Sequence, residues 1–202
     1  MADVTGYRHA AWDTPWWVSP NREQGRFHRP FQSPTQYLCL HPLGPHAELL
    51  RHLGAESADD LDTIRLRLWG GKVTLDDLVR IDFDNAGDFG LTPEELVGDD
   101  YNPTQAVADD LRNQDRPGLV APSAALPGTD IVVLFGPRML SPFLFDPVDP
   151  LDQIATAHAA EESQPAPEIL PLVRWFGVDH AGVVEWRNTG TAPVFLDPPV
   201  MP

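Results

Sequence analysis

Gln36-Tyr37-Leu38-Cys39-Leu40-His41-Pro42-Leu43-Gly44-Pro45-His46-Ala47-Glu48-Leu49-Leu50-Arg51-His52-Leu53 changes period halfway along its length, and that change sets the fold class. Residues 36–40 form a short apolar run that reads as a buried strand. Pro42 and Gly44-Pro45 then turn the chain. A helix is expected from about Pro45 to Leu53, because proline fits a first helical turn, where its missing N–H would have had no partner. On that helix Ala47, Leu50 and Leu53 point one way, while Glu48 and His52 share another face. Short strands and short helices alternate irregularly along the rest of the chain, which argues for α+β over a doubly wound parallel sheet.

Residues 1–35 are rich in Pro, Trp and Arg and read as mostly loop with short strands. Thr63–Trp69 sets Ile64, Leu66 and Leu68 against Arg65 and Arg67, the alternation of a half-buried strand, with Gly70-Gly71 expected to end it. Helix starts are expected at Thr74-Leu75-Asp76-Asp77 and at Thr92-Pro93-Glu94-Glu95, the second with capping-box spacing. A further helix is expected from about Pro103 to Gln114, with Val107 and Leu111 on one side. Strands at Gly118–Ala121 and Ile131–Phe135 follow, joined through Pro122-Ser123-Ala124-Ala125-Leu126-Pro127-Gly128.

After Phe145 the character shifts. Residues 146–150 and 163–168 read as linkers, Leu151–Glu161 as a short helix, Leu172–Val178 and Val183–Trp186 as paired strands, and Val194-Phe195-Leu196 as a third. The expected organisation is a main domain over residues 1–145. An extension over 146–202, too small to hold its own core, packs on that domain.

With 202 residues, 42% of them hydrophobic, the chain can bury a real core. No stretch approaches the roughly 20 apolar residues of a membrane helix, and Met1-Ala2-Asp3-Val4-Thr5 has no signal-peptide pattern. Cys39, the single cysteine, reads as a buried thiol and excludes an internal disulfide. These features suit a cytoplasmic protein. A net charge of −16 argues against nucleic acid as a direct partner. Thirteen Arg against one Lys, Lys72, fits a GC-rich genome better than a function; only Arg8 and Arg26 stand out, by position.

Arg26, Tyr37 and Glu48 fall at even steps of eleven, and Ser123 lies far downstream. Arg26 follows Gly25, where backbone can approach a ligand, and a guanidinium grips phosphate oxygens bidentately. Tyr37 offers a flat face for a heterocycle, although an aromatic opening an apolar strand is by default a core residue. A carboxylate at Glu48 can stabilise positive charge developing at an anomeric carbon; the bland alternative is an acid placed by the helix dipole. The Ser123 hydroxyl can bond a ribose or phosphate oxygen, or simply serve a turn. His41, His46 and His52 lack the spacing of a helical zinc motif, so no metal is expected. No Gly-x-Ser-x-Gly elbow, phosphate-binding Gly-Lys loop or Gly-x-Gly-x-x-Gly is present.

The ordered set resembles the RES-domain family, named for an Arg, a Glu and a Ser. Tyr7-Arg8 looks like its opening strand, and Gly25-Arg26-Phe27 through Tyr37-Leu38 to Glu48-Leu49-Leu50 looks like its central run. Tyr101-Asn102-Pro103-Thr104-Gln105-Ala106-Val107-Ala108 and Gly118–Ala124 look like its second half. The resemblance covers about residues 7–136. It departs at Phe27-His28, where the family usually has Trp-Asn.

That resemblance implies an ADP-ribosyltransferase-like split β-sheet and cleavage of the nicotinamide–ribose bond of NAD, with water or phosphate as acceptor. It also implies a toxin role, a helix-turn-helix antitoxin as partner, and a tendency to dimerise. It would give Arg26 and Arg8 the pyrophosphate, Tyr37 the nicotinamide side, Ser123 a ribose or phosphate oxygen, and Glu48 the transition state. The rival readings are transfer of ADP-ribose to a protein and a catalytically silent interaction protein.

Overall fold

The computed structural model describes residues 3–9, 21–65, 67–136 and 164–195. Among these residues six strands form one mixed sheet: β1 (Asp3–His9), β2 (Thr35–Cys39), β3 (Leu68–Thr74), β4 (Val79–Arg80), β5 (Gly118–Pro122) and β6 (Asp130–Phe135). Their spatial order is β3-β1-β2-β6-β5-β4. All neighbours are antiparallel except β4 and β5. β1 and β3 pair over seven residues, and β2 and β6 over five, yet β1 and β2 share one registered pair, Tyr7 with Cys39. The sheet is therefore two halves joined at a single point.

The expected α+β class and the strands around residues 36–40, 118–121 and 131–135 are present. So are the helices α1 (Gly44–Leu53) and α4 (Asn102–Asn113). Helix α2 (Ala58–Leu61) is a single turn with a Ser57 capping box. In α3 (Pro93–Val97), Thr92 and Glu95 exchange both capping bonds, as the spacing predicts. On α1, Ala47 and Leu50 are buried as expected, whereas Leu53 is exposed at the last turn.

Alternation along the strands sorts the core onto two faces. One face carries Cys39, Leu119, Ala121, Ile131 and Val133, covered by Phe27 and by Leu96, Val107 and Leu111 from α3 and α4. The opposite face carries Leu38, Val73, Val120, Val132 and Leu134. A third cluster joins Ala47 and Leu50 of α1 to Leu126, Ile169 and Val173, so residues from 164 onward share a core with the helix that carries Glu48.

Several expectations are corrected. The strand expected over Thr63–Trp69 starts later, at Leu68, and runs through Gly70-Gly71 to Thr74. The glycines are not a stop, because both are paired in register with β1, Gly70 with Tyr7 and Gly71 with Gly6, which carries the strand through them. No helix starts at Thr74: that residue ends β3, and a turn closed by Leu78 N–H to the Leu75 carbonyl leads into β4.

The paired strands expected after Leu172 are a 3-10 turn (Pro167–Leu172) and a helix, α5 (Ala181–Thr189). Val183 and Trp186, three apart, pack on the same cluster while Val184 is exposed, which is helical rather than alternating spacing. Gly177, at φ 77°, breaks the extended run in a conformation other residues avoid. Val194 and Phe195 are irregular. The expected helix at 151–161 and the linker at 146–150 lie outside the described residues.

Candidate active site

Arg26 sits in a loop whose carbonyls are engaged by α4. Each carbonyl from Gly25 to His28 accepts a side-chain bond from that helix. Thr104 Oγ1 donates to Arg26 O at 2.6 Å, Gln105 Nε2 to Gly25 O and His28 O at 2.9 and 3.1 Å, and Arg112 Nη2 to Phe27 O at 2.8 Å. This gives the Thr104-Gln105 pair a physical reason: it fixes where the Arg26 side chain begins. At the far end Arg26 Nη1 donates to the Leu96 and Gly98 carbonyls at 3.5 and 2.5 Å, at the end of α3. Its guanidinium stands 5.0 Å from the Tyr101 ring centroid. Both hydrogen bonds use one nitrogen, so the fork is anchored from one side.

Tyr37 holds the same loop from the sheet. Its hydroxyl accepts from Phe27 N–H at 3.0 Å and meets His28 Nδ1 at 2.8 Å. His28 Nε2 lies 2.9 Å from the Glu23 carbonyl, which assigns the proton to Nε2 and makes Nδ1 the acceptor of the Tyr37 O–H. Burial lowers the His28 pKa, consistent with that neutral ring. Burial also pushes the Tyr37 phenol well up. Gly25 is required here because a Cβ would stand 2.3 Å from His28 Cε1. At the family's Trp-Asn position, Phe27 is fully buried and His28 locks the tyrosine.

Glu48 projects from α1, whose Gly44 backbone presses on Cys39 of the same sheet face. Its carboxylate is 28% exposed and lies 3.7 Å from His52, the i,i+4 neighbour. The charge at Glu48 acts on Arg26 and Arg51, and on Tyr37 and Cys39, whose acidities burial and then this carboxylate weaken. Arg26, Tyr37 and Glu48 are thus gathered on one side of the sheet, close enough for their charges to interact.

The other two candidates are placed differently. Ser123 is 1% exposed, and its hydroxyl accepts the Leu126 N–H at 3.1 Å, closing the turn after β5. Its carbonyl accepts from His180 Nε2 at 3.0 Å. Arg8 lies on the opposite face. A Cβ on Gly6 would meet Leu38 and Val73, so the two-residue period of β1 puts Val4, Gly6 and Arg8 there, and Tyr7 with Cys39 on the other side. Arg8 Nε and Nη1 are buried with no hydrogen-bond partner among the described residues.

The sequence reading missed a second set of charges beside Glu48. Arg51, one turn along α1, donates to Asp99 Oδ1 at 2.6 Å, and Arg174 donates to the same oxygen. Asp99 Oδ2 accepts Gly177 N–H at 2.7 Å, and these partners lower its pKa against the opposing effect of partial burial. Phe176 lies under the Arg51 guanidinium at 4.2 Å. The i,i+3 spacing from Glu48 is the signal that could have flagged Arg51; nothing local marks Arg174.

A cavity of about 340 Å³ lies elsewhere, lined by Asp82 and Asp84, by the Arg80–Asp130 ion pair and by Phe195, and holds none of Arg26, Tyr37, Glu48 or Ser123. Among the described residues no three His, Cys, Asp or Glu side chains gather as a metal site. No helix there is long and apolar enough to cross a membrane.

An α+β sheet split into two halves, with a buried arginine and a helix-borne glutamate on one face, agrees with what comparison with known proteins finds. The model of the RES domain matches residues 4–149, and the chain belongs to that family. It is 32% identical over 160 residues to the probable NAD(+) phosphorylase Rv3189 of Mycobacterium tuberculosis, covering 78% of this chain and 70% of that protein. In fold it is similar to a chain in the crystal structure of the M. tuberculosis MbcT–MbcA toxin–antitoxin complex. That likeness has a TM-score of 0.56 and 22% identity, over 68% of this chain and 76% of the other.

Proposed function

We propose that this protein cleaves the nicotinamide–ribose bond of NAD with inorganic phosphate as acceptor, acting as the toxin of a toxin–antitoxin pair. The observation that carries the reading is that buried Arg26 and Glu48 lie on one face beside Tyr37, near enough for their charges to act on one another. Family membership and the NAD(+) phosphorylase relative support the substrate. The fold it shares with a toxin–antitoxin complex supports the partner, which we take to be a helix-turn-helix antitoxin that covers the cleft.

In this reaction Arg26 takes the pyrophosphate, its fork aimed by the Leu96 and Gly98 carbonyls. The Tyr37 ring, immobilised through its hydroxyl, walls the nicotinamide end. The bond from the anomeric carbon to the pyridinium nitrogen breaks with its electron pair going to nitrogen. Nicotinamide thus leaves neutral and needs no general acid. Positive charge builds on the ribose, and the Glu48 carboxylate stabilises it; one such preorganised charge gives a rate factor on the order of 10²–10³. Ser123 serves through the turn it closes and the histidine it holds. Arg8, on the other face, plays no part in gripping the dinucleotide.

Pure protein incubated with NAD and phosphate should release nicotinamide and ADP-ribose phosphorylated at the anomeric carbon. Glu48→Gln should release at least about a hundredfold less, with an unchanged circular dichroism spectrum. Equal turnover by that variant defeats the assignment, and label retained on a protein instead of a small molecule would mark an ADP-ribosyltransferase.

A further inference from the structure

Arg51 and Arg174 are unexplained by the dinucleotide alone. Arg174 lies beyond the residues that match the family, yet its side chain is only 8% exposed. It is built in from four directions: N–H to the Ala125 carbonyl at 2.8 Å, Nε to the Val178 carbonyl at 2.7 Å, and Nη1 to both the Val97 carbonyl at 3.3 Å and Asp99. Arg51 is 2% exposed, and its Nε is buried without a hydrogen-bond partner among the described residues. An orphaned donor on a buried guanidinium is costly, and a tail docked through one ion pair would require only one arginine.

The charge balance points the same way. Arg26, Arg51 and Arg174 lie close enough to act on one another, and Glu48 and Asp99 are the carboxylates among them. Three fixed cations against two carboxylates leave a positive excess, in a chain whose net charge is −16. Holding like charges together out of water is unfavourable unless an anion joins them.

We propose that Arg51 and Arg174, oriented by Asp99, form the subsite for the accepting inorganic phosphate, distinct from the dinucleotide grip of Arg26. This inference rests on the phosphorolysis reading above. Arg51 is one helical turn from Glu48, so an oxyanion on Arg51 and Arg174 lies beside that carboxylate. Hydrogen phosphate matches both sides: unprotonated oxygens accept from the two forks, and its P–OH donates to Glu48. One unprotonated oxygen then bonds to the anomeric carbon as the bond to nicotinamide breaks. The product is ADP-ribose with phosphate on that carbon, and the P–OH proton goes to solvent.

The test is initial rate against phosphate concentration at saturating NAD, alongside inorganic phosphate binding to the intact protein by titration calorimetry. Arg174→Gln should raise the phosphate KM and the phosphate Kd by about tenfold or more, the effect of one lost charge-assisted contact. The NAD KM should stay within about twofold. Arg51→Lys, which keeps the charge and loses the fork, should do the same and guards against misfolding of the first variant. Asp99→Asn should raise the phosphate KM while kcat at saturating phosphate is kept, as a positioning residue requires. Wild-type phosphate saturation in both arginine variants, or an equal rise in the NAD KM, overturns the subsite alone. A wild-type enzyme that releases only free ADP-ribose, whatever the phosphate concentration, overturns the phosphorolysis reading and the subsite with it.

Discussion

Acidification should begin to destabilise this protein before its carboxylates titrate, with His46 and His180 the largest contributors to the effect. His46 on α1 and His180 at the start of α5 are 1% and 6% exposed, so solvent screening gives little discount. Each has its pKa lowered from 6.5 to about 4. Burial is the main cause for both. His9 adds to it at His46; at His180 the Ser123 carbonyl opposes it, and Arg174, Arg26 and Arg51 reinforce it.

Above pH 6.5 both rings are neutral in folded and unfolded chains, and stability is at its full value. Between 6.5 and about 4 the unfolded chain takes up protons that the folded chain refuses, so stability falls as pH falls. Below about 4 both states are protonated and the loss levels off. The gap is worth about 3 kcal/mol for each ring, and the pair together matches much of a typical domain's stability of about 5–15 kcal/mol. Asp99 and Asp109 have lowered pKa values, so their contributions fade at still lower pH, whereas His9, His28 and His41, whose pKa values burial also lowers, add to the slope in the same window.

Urea denaturation at half-unit steps from pH 8 to 4 measures the slope. His180→Asn, which does not titrate, should remove roughly half of the loss attributed to the pair. A stability that is flat from pH 6.5 to 4.5, or a slope that His180→Asn leaves unaltered, would mean that protons reach these rings in the folded protein, and the burial argument would be wrong.

Two further outcomes test the loop that carries Arg26. Thr104→Val removes the fully buried hydroxyl bonded to the Arg26 carbonyl and should cost roughly 1–3 kcal/mol in chemical denaturation. It should also raise the NAD KM, since the base of the Arg26 side chain is no longer fixed. Gly25→Ala puts a methyl 2.3 Å from the His28 ring; the ring must swing out and release the Tyr37 hydroxyl. A loss of about 1–3 kcal/mol is expected, together with weaker NAD binding, whereas a neutral melting temperature would show the loop to be more pliable than described.

What was legible in the sequence was local. The strand from residue 36 and the helix after Gly44 declare themselves by period, and Thr92-Pro93-Glu94-Glu95 by its cap, because the forces that make those elements act within a few residues. Gly70-Gly71 misleads because a glycine held in register by a neighbouring strand looks, along the chain, like a glycine that turns it. Val183-Val184 was misread because β-branched residues favour strands only until tertiary packing on Phe83 and Leu96 decides otherwise. Among the site residues, Arg26, Tyr37 and Glu48 are legible by type and order. That Arg8 leaves the opposite face follows from register with β2 and β3, which no single strand reveals.

Arg174 shows why distance along the chain hides function. Its neighbours Trp175 and Phe176 give no hint of a charged site, and 75 residues separate it from Asp99. A guanidinium so far from its carboxylate reaches it only because Ile169 and Val173 are drawn into the apolar cluster under α1. The hydrophobic term comes first: two buried aliphatic side chains are worth roughly 2 kcal/mol each and hold the segment against the helix that carries Glu48. Once it is there, the next residue along from Val173 is largely buried and pairs with a carboxylate. The electrostatics of the site are thus a consequence of core packing. Shortening Val173 to alanine should therefore weaken the arginine pair and the phosphate response, although valine itself touches neither.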